Sequence, residues 1–393
     1  MSGAEIPMLC GTLLYGGAEE LDTERGPFAL HTFHDLSARQ PLLALTHGDW
    51  SGEAPLLARV HSSCLTSESL GGADCDCADQ LDGALARIAR SGRGVLFYLM
   101  QEGRGAGLIA KVRDRMLVQA SRHRVTTFDA YAHMGLGPDS RRYGAVAFAC
   151  AALGIRAPLI LLTNNPVKVD ALRTAAIRVA AVEGIERAAS PFNVHYLTAK
   201  SRSGHALSAP ATRAAAAELP ESVDVIEPAC VPGAPTLIRV ASYLLPVKAS
   251  AGVGRVHWFR LHAYVDRDHG AERIVLTHGR KPHAVPLVYV HAESLRERFP
   301  LRGRPGAWEG ALERIALRGA GTALFLPDGD AAVRRELTVA EAVAGDGALT
   351  HLLAHHLPEQ IDLLTPDTTL AAALEAHGIR SAPAQPIGAA ELN

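Results

Sequence analysis

The sequence predicts an α+β fold that is built twice, as two mixed α/β domains in tandem. Strand and helix patterns alternate along both halves, four blocks of the first half recur in order in the second, and a stretch rich in Ala, Pro and Ser separates them. We therefore expect a first domain at residues 1–205, a linker at 206–236 and a degenerate second domain at 237–393.

The elements of the first half follow from short apolar runs and from helical spacing. The apolar and β-branched runs predict strands at 26–34, 42–48, 56–61, 94–100 and 159–162. Apolar residues at helical spacing predict helices at 81–91, 108–120 and 143–153, and a further helix after 162 that Thr163 caps and that carries Lys168 in its first turns. Between them, residues 126–144 are dense in polar and turn residues, which predicts an active-site loop.

The second half repeats this order without the cysteines of the first. Residues 274–279, 286–291, 310–326 and 363–379 match 43–48, 55–61, 83–99 and 161–177. Cys64 aligns with Ser294, Cys75 and Cys77 align with Arg302 and Arg304, and Q-E-G-R becomes P-D-G-D at 327–330. We therefore expect a copy that packs, pairs or regulates rather than catalyses. His351, His355 and His356 have helical spacing there and could hold a metal, although solvated histidines are the favoured interpretation.

Composition excludes several classes of partner. The 39 Lys and Arg nearly balance the 41 Asp and Glu, and no basic block predicts binding to a nucleic-acid polymer. The first twenty residues do not resemble a signal peptide, and no apolar run reaches the roughly 18 residues of a membrane span. We therefore expect a cytoplasmic protein with reduced cysteines and no membrane partner.

Three of the six cysteines lie close together at Cys64, Cys75 and Cys77. Zinc prefers thiolate sulfur, and three protein ligands leave a fourth position for water, so this spacing favours a catalytic zinc site. Reduced structural cysteines stay open as an alternative from these residues alone, and a disulfide is less favoured because three thiols leave one unpaired. The glycine-rich turn Q-E-G-R-G-A-G-L and the helix start T-N-N-P-V-K could each approach a phosphate, or be an ordinary tight turn and an ordinary capped helix.

Six ordered motifs carry a resemblance to a known family. They read R-V-H-S-S-C, C-D-C-A-D-Q-L, Q-E-G-R-G-A-G-L, G-P-D-S-R-R-Y-G, L-L-T-N-N-P-V-K and H-Y-L-T-A-K. Residues 25–205 thereby resemble GTP cyclohydrolase II, the zinc enzyme that opens the guanine imidazole ring at the start of riboflavin synthesis. The resemblance implies a hydrolase that releases pyrophosphate from GTP or a related purine nucleotide.

The resemblance also implies roles for individual residues. Cys64, Cys75 and Cys77 would bind Zn²⁺, Asp139 would accept a proton, and Arg141 would engage the α-phosphate as pyrophosphate leaves. Magnesium is expected with the triphosphate. The nucleotide contacts it implies are Arg59, His61, Ser62, Gln80, Glu102, Gly103, Arg104, Thr127, Thr163 and Lys168.

The sequence departs from the family pattern at a few positions. Ser63 replaces a carboxylate, and Met100 and Val167 replace two basic residues. The family motif K-I-R-A-Y, which ends in a tyrosine, aligns with K-V-R-D-R-M in this chain. Depending on where a one-residue insertion is placed, either Arg115 or Met116 takes the position of the tyrosine. The product is then a formylamino- or diamino-pyrimidine ribosyl phosphate, and we expect the formylamino form to be enriched because deformylation should slow more than ring opening.

Two expectations about binding remain. A non-catalytic nucleotide sensor or scaffold is the rival function, motivated by the lost tyrosine and the lost basic residues. For assembly we expect an intramolecular pseudo-dimer or a homodimer, with residues 240–390 in the place of a second subunit, because repeated domains often retain the surface of an ancestral symmetric dimer.

Overall fold

A computed structural model describes residues 8–207, 215–248, 255–279, 284–302, 307–327, 343, 346–365 and 367–385. Within these ranges the chain has a mixed α/β fold with two eight-stranded sheets, one in each half. The predicted mixed class is therefore confirmed. None of the described helices is long and apolar enough to cross a membrane.

The first sheet is antiparallel on one side and parallel on the other. Its strands are β1 Leu9–Cys10, β2 Leu13–Thr23, β3 Gly26–Asp35, β4 Gln40–His47, β5 Leu56–Ser62, β6 Gly94–Leu99, β7 Leu159–Leu162 and β8 Val179–Glu183, in the order β1-β2-β3-β4-β6-β5-β7-β8. All six residues of β6 are buried, and β6 pairs antiparallel with β4 and parallel with β5. The carboxyl ends of β5, β6 and β7 therefore meet at one edge, where α/β sheets tend to place ligands.

Seven α-helices of the first half connect or flank these strands in the described residues. They are α1 Leu65–Glu68, α2 Cys77–Ser91, α3 Leu108–Ala120, α4 Thr127–His133, α5 Ala145–Ala152, α6 Pro166–Thr174 and α7 Val194–Arg202. The helix α2 buries Leu81, Ala84, Leu85 and Ile88 and ends at Gly92, whose φ of 76° suits glycine.

The second sheet has the same strand order and the same pairing senses as the first. Its strands are β9 Ala229–Val231, β10 Ala234–Lys248, β11 Val256–Asp266, β12 Glu272–His278, β13 Leu287–Ala292, β14 Gly321–Leu326, β15 Gln360–Leu363 and β16 Arg380–Pro383, in the order β9-β10-β11-β12-β14-β13-β15-β16. Its helices are α8 Ala307–Arg318, α9 Gly347–His356 and α10 Thr368–Glu375, with a 3₁₀ turn at Leu295–Arg298. The strand β9 lies inside the segment predicted as a linker.

The two halves share a hydrophobic core. Leu70, Val112 and Met116 of the first half pack in one cluster with Tyr243 and Phe259 of the second. Backbone bridges are reciprocal: Gly72 pairs antiparallel with Val247 at the end of β10, and Leu301 pairs antiparallel with Thr23 at the end of β2. In each half, the segment after the first parallel strand (β5 or β13) thus pairs with the long antiparallel strand (β10 or β2) of the other half.

Three local predictions were wrong. The stretch 126–144 is not only a loop, because Thr126 caps α4 through a capping box with Asp129. The cap of α6 is Asn165 rather than Thr163, since the Asn165 side chain accepts the N–H of Val167. His356 is only partly exposed rather than solvated: its Nε2 lies 2.6 Å from the Tyr264 hydroxyl, and burial lowers its pKa to about 3.

Some predictions about the second copy fall outside the described residues. Arg304 and residues 328–330 of P-D-G-D are among these. Ser294, which aligns with Cys64, stands at the N-cap of the 3₁₀ turn, as Cys64 stands at the N-cap of α1.

Candidate active site

The three clustered cysteines converge at the carboxyl end of β5. Cys64 follows that strand, Cys75 lies in the next loop, and Cys77 opens α2; their sulfur atoms all lie within 4.8 Å of one another. The Sγ atoms of Cys64 and Cys75 are 3.6 Å apart, close to the roughly 3.8 Å expected between two sulfurs that share a tetrahedral ion with bonds of about 2.3 Å. The donor set therefore fits zinc.

The electrostatics around these sulfurs favour a thiolate at Cys75. The pKa values of Cys64 and Cys77 are instead raised well above their usual value, because the three sulfurs share protons and all are buried. Hydrogen bonds from the Cys64 and Cys77 thiols hold the pKa of Cys75 well below its usual value, and Lys111 and Arg115 lower it further. The Nζ of Lys111 lies 2.7 Å from the Cys64 Sγ. Positive charge close to a thiol is the usual cause of a stabilised thiolate.

Glu68 fixes the turn that carries Cys64. One of its carboxylate oxygens lies 2.7 Å from the Nε2 of His61, and the other accepts the backbone N–H of Cys64 and the hydroxyl of Tyr98. Because His61 is buried, stacked on Tyr98 and bound to Glu68, it serves the geometry of the cysteine turn, while its ring also lines the neighbouring cavity.

A cavity of about 80 Å³ opens beside Cys77 and gathers most of the predicted nucleotide contacts. Its predicted lining residues are Arg59, His61, Ser62, Gln80, Arg104, Arg141, Thr163 and Lys168. Sequence reasoning did not assign roles to Asn164, Asn165, Tyr196, Lys200, His205 and Leu207, which also line it. The signal for two of them was available, since Tyr196 and Lys200 belong to the motif H-Y-L-T-A-K.

Five cations face this one cavity: Arg59, Arg104, Arg141, Lys168 and Lys200. Burial lowers the pKa of Lys168 well below its usual value, and Arg59 and Arg141 lower it further. Burial likewise lowers the pKa of Arg59 to about 10. Buried cations that repel one another indicate a site for a multiply charged anion.

The backbone holds two of these cations in place. Arg104 has a φ of 56°, a left-handed conformation that is uncommon outside glycine, and its guanidinium carbon lies 3.8 Å from the centre of the Phe128 ring. Arg59 donates to the carbonyl of Leu162 and to the Oε1 of Gln80, each at 2.7 Å. Gln80 therefore orients Arg59.

Asp139 and Arg141 form a bidentate pair at the mouth of the site. The Arg141 Nε and Nη2 lie 2.9 and 2.5 Å from the two oxygens of Asp139. Burial raises the pKa of Asp139, but the hydrogen bonds and charge of Arg141 outweigh this and lower it overall.

Three predicted contacts lie outside the cation-lined cavity. Glu102 accepts the N–H groups of Leu65 and Gly103 and lies 3.1 Å from Lys111, so it braces the cysteine turn. Gly103 is buried next to it with a φ of 56°. Thr127 donates to Asp114 at 2.7 Å and lines a separate cavity of about 160 Å³.

Comparisons with known proteins agree with this geometry. The sequence model of the family GTP cyclohydrolase II matches residues 17–184. The GTP cyclohydrolase-2 of Pseudomonas paraeruginosa (strain DSM 24068 / PA7) is 41% identical over 197 residues, which cover 50% of this chain and 94% of that protein. The GTP cyclohydrolase-2 of Saccharophagus degradans is 41% identical over 195 residues, 49% of this chain and 96% of that protein.

A third relative aligns over the same part of the chain. The GTP cyclohydrolase-2 of Shewanella amazonensis is 39% identical over 198 residues, which are 50% of this chain and 95% of that protein. The chain belongs to the GTP cyclohydrolase II family. The predicted family and the predicted enzyme class, a hydrolase, are both confirmed, and these relatives align over about half of the chain.

The two candidates for the position of the family tyrosine lie in different places. Met116 is fully buried in the core between the halves. Arg115 faces the site: its Nε lies 3.2 Å from Asp74, and its guanidinium carbon lies 4.6 Å from the centre of the Tyr196 ring. The phenol of Tyr196 in α7 lines the same cavity as Cys77.

Proposed function

We propose that this chain opens the imidazole ring of GTP by zinc-dependent hydrolysis and releases pyrophosphate. The proposal rests on one observation: the group of three converging thiols lies directly beside the cavity with five cations. Cys77 belongs to both. A nucleoside triphosphate fits this arrangement, because its anionic phosphates would bind the cations while its base reaches the three sulfurs.

Zinc would be held by Cys64, Cys75 and Cys77. Bound there, it would supply a Lewis acid that polarises its ligands and lowers the pKa of a bound water. Glu68, Lys111 and Glu102 would keep the three sulfurs aligned, since they fix the turn and the charge around Cys64. Magnesium would accompany the triphosphate; the described residues contain no second group of metal-ligating side chains, so the phosphates would be its main ligands.

The pair of Asp139 and Arg141 would act as a latch. An incoming triphosphate competes with Asp139 for the Arg141 guanidinium, and Arg141 would then engage the α-phosphate as pyrophosphate leaves. Freed from this partner, the Asp139 carboxylate would have a higher pKa and would accept a proton in ring opening. Arg59, Arg104 and Lys168 would hold the phosphates, with Ser62 and Thr163 beside them.

The product would be a formylamino-pyrimidine ribosyl phosphate, and its deformylation would give the diamino form and formate. Arg115 or Met116 stands where the family resemblance places a tyrosine, and of the two Arg115 faces the site, paired with Asp74. We expect deformylation to lag behind ring opening for this reason, so the formylamino product accumulates. Such a product would suit a specialised pathway rather than the housekeeping riboflavin one.

The second half would be a degenerate copy of the first that begins at β9, Ala229–Val231, earlier than the predicted boundary at 237. The matching strand orders of the two sheets and the reciprocal bridges of Gly72 with Val247 and of Leu301 with Thr23 support this. Reciprocal contacts are what a symmetric dimer produces, so the second half would take the place of a partner subunit.

Two measurements test the function. Metal analysis of purified protein should find about one zinc per chain, and Cys75→Ser or Cys77→Ser should lose it, while Cys150→Ser, a buried cysteine outside the cluster, should keep it. The zinc-loaded protein is then incubated with a panel of nucleoside triphosphates, and pyrophosphate and formate are followed by mass spectrometry. A folded protein without metal would contradict the mechanism, and tight GTP binding without turnover would favour a nucleotide sensor.

A further inference from the structure

A buried polar cluster lies behind the cysteines, at the seam between the two halves. It consists of Asp74, Arg115 and Tyr243. The Arg115 Nε lies 3.2 Å from an Asp74 oxygen as an ion pair, but these two atoms, the other Asp74 oxygen and the Tyr243 hydroxyl make no well-formed hydrogen bond among the described residues. Buried polar atoms are nearly always satisfied, by ordered water where the protein offers nothing. The cluster therefore has the donors and acceptors of a water site.

The strand β10 brings Tyr243 to this cluster. Side chains alternate along a strand, so Tyr243, Leu245 and Val247 lie on one face. Val247 pairs with Gly72, and a Cβ placed on Gly72 would come within 2.7 Å of Leu245, so this face covers the loop that carries Asp74. Tyr243 is fully buried on the same face.

Hydrogen bonds fix β10 against both elements that contribute to the cluster. The N–H of Ala73 donates to the carbonyl of Pro246 at 2.7 Å, which ties the cysteine loop to the strand. The Gln119 side chain exchanges two hydrogen bonds with the backbone of Leu244, at 2.7 and 2.8 Å, which ties α3 to it. The cluster is thus held from three sides.

The charges around Tyr243 suit a neutral phenol that donates a hydrogen bond. Burial raises the pKa of Tyr243 well above its usual value, and the nearby Asp74 carboxylate raises it further. Arg115, Lys111 and Cys64 also lie within electrostatic reach of the hydroxyl. A cavity of about 160 Å³ is lined by Asp74, Arg115 and Tyr196, so there is room for water on the Asp74 side of the cluster.

We propose that the C-terminal half completes the reaction centre, with Tyr243 and Asp74 holding the water that hydrolyses the formamide while Arg115 only anchors Asp74. This inference rests on the proposed function. In that step the water oxygen bonds to the formyl carbon, the carbon–nitrogen bond breaks, the nitrogen takes a water proton, and formate leaves with loss of the other proton to solvent. Tyr243 is a positioning residue in this step, because it acts through the water.

The matched variants are Tyr243→Phe and Tyr264→Phe. Tyr264 is equally buried, on the adjacent strand β11, but its hydroxyl contacts His356 instead of the cluster. In Tyr243→Phe we expect the ratio of formate to pyrophosphate to fall about tenfold, the scale of one lost contribution to proton transfer or water positioning. The ratio should stay at the wild-type value in Tyr264→Phe.

A crystal structure that resolves ordered water gives a readout independent of turnover. It should show a water within about 3 Å of the Tyr243 hydroxyl and of an Asp74 oxygen in the wild type, and none in Tyr243→Phe. A cluster without water, or an unchanged product ratio in a Tyr243→Phe protein of wild-type thermal stability, would overturn the inference. Pyrophosphate release with no formate would also overturn it, while leaving ring opening intact. Absence of both products would instead overturn the proposed function.

Discussion

Lys168 shows how the site trades stability for binding. Its side chain is buried among other cations, with the carbonyl of Val60 as a hydrogen-bond partner at 2.7 Å, and its pKa is lowered well below its usual value by burial and then by Arg59 and Arg141. Charge of one sign that is buried together opposes folding until an anion compensates it. The buried cations therefore favour phosphate binding and lower the stability of the free protein.

The first prediction concerns this trade. Lys168→Met retains the length of the side chain and removes the charge, so we expect the free energy of unfolding to rise by about 1 kcal/mol while GTP affinity falls at least about tenfold. Thermal unfolding and isothermal titration calorimetry check the two effects. Lys248→Met, at a half-exposed lysine away from the cavity, is the control and should change neither. A loss of stability in Lys168→Met would contradict the argument.

A second residue-scale prediction concerns acid. Burial lowers the pKa of His31 to about 4, from an ordinary value of 6.5, and its Nε2 lies 3.0 Å from the Thr46 hydroxyl. The unfolded chain thus binds a proton that the folded chain does not between those two pH values. Stability should be fully present above pH 6.5 and fall as pH drops towards 4, by up to about 3 kcal/mol for this residue.

Urea unfolding of the wild type and of His31→Gln between pH 4 and pH 7 provides the measurement. The amide cannot take up the proton, so the variant should lose less stability on acidification than the wild type, even if it starts less stable. Parallel pH profiles for the two proteins would show that His31 does not contribute. His47→Gln, a more exposed histidine on the same sheet, is the matched control.

At the level of elements, sequence patterns were informative where one local cause decides the structure. The helix α3 has the predicted bounds because its apolar spacing continues from Leu108 to Ala120. The helix α4 was missed because a capping box overrides a stretch rich in turn residues. The cysteine motifs predicted the convergence of three sulfurs, whereas no local pattern could bring Tyr243 within electrostatic reach of Asp74, since that depends on packing between the halves.

The element-scale prediction concerns the loop between Cys64 and Cys75. Gly72 lies so close to α1 and β10 that an added Cβ would come within 2.4 Å of the Thr66 carbonyl oxygen, which is backbone and cannot yield cheaply. Gly72→Ala should therefore displace the loop, lower stability by about 2 kcal/mol and reduce zinc occupancy. Metal analysis and thermal unfolding are the measurements.

Gly52→Ala offers a comparison for this loop. A Cβ at Gly52 would meet nothing within 4 Å, although its φ of 91° still adds backbone strain. We expect Gly52→Ala to lose some stability and to keep its zinc. Full zinc occupancy in Gly72→Ala would show that the loop tolerates the shift and that β10 does not set the position of the cysteines.

At the scale of the whole molecule, the core between the halves makes each half depend on the other. Leu65 and Val112 pack in one cluster with Leu245, Leu261 and further residues of the second half. Neither sheet can lose its packing without exposing this surface. We therefore expect the two halves to unfold together, although each has a sheet of its own.

Tryptophans in both halves allow this to be tested. Trp50 is anchored in the first half by a hydrogen bond to the Leu153 carbonyl, and Trp308 is buried in the second. Leu352→Ala removes packing from a cluster that contains only second-half residues, which should cost about 3 kcal/mol. In proteins that retain a single tryptophan, Trp50 and Trp308 should report the same lowered unfolding midpoint. A Trp50 transition that stays at the wild-type midpoint would mean that the halves fold independently, and the second half would then be unable to hold Tyr243 at the reaction centre through the shared core.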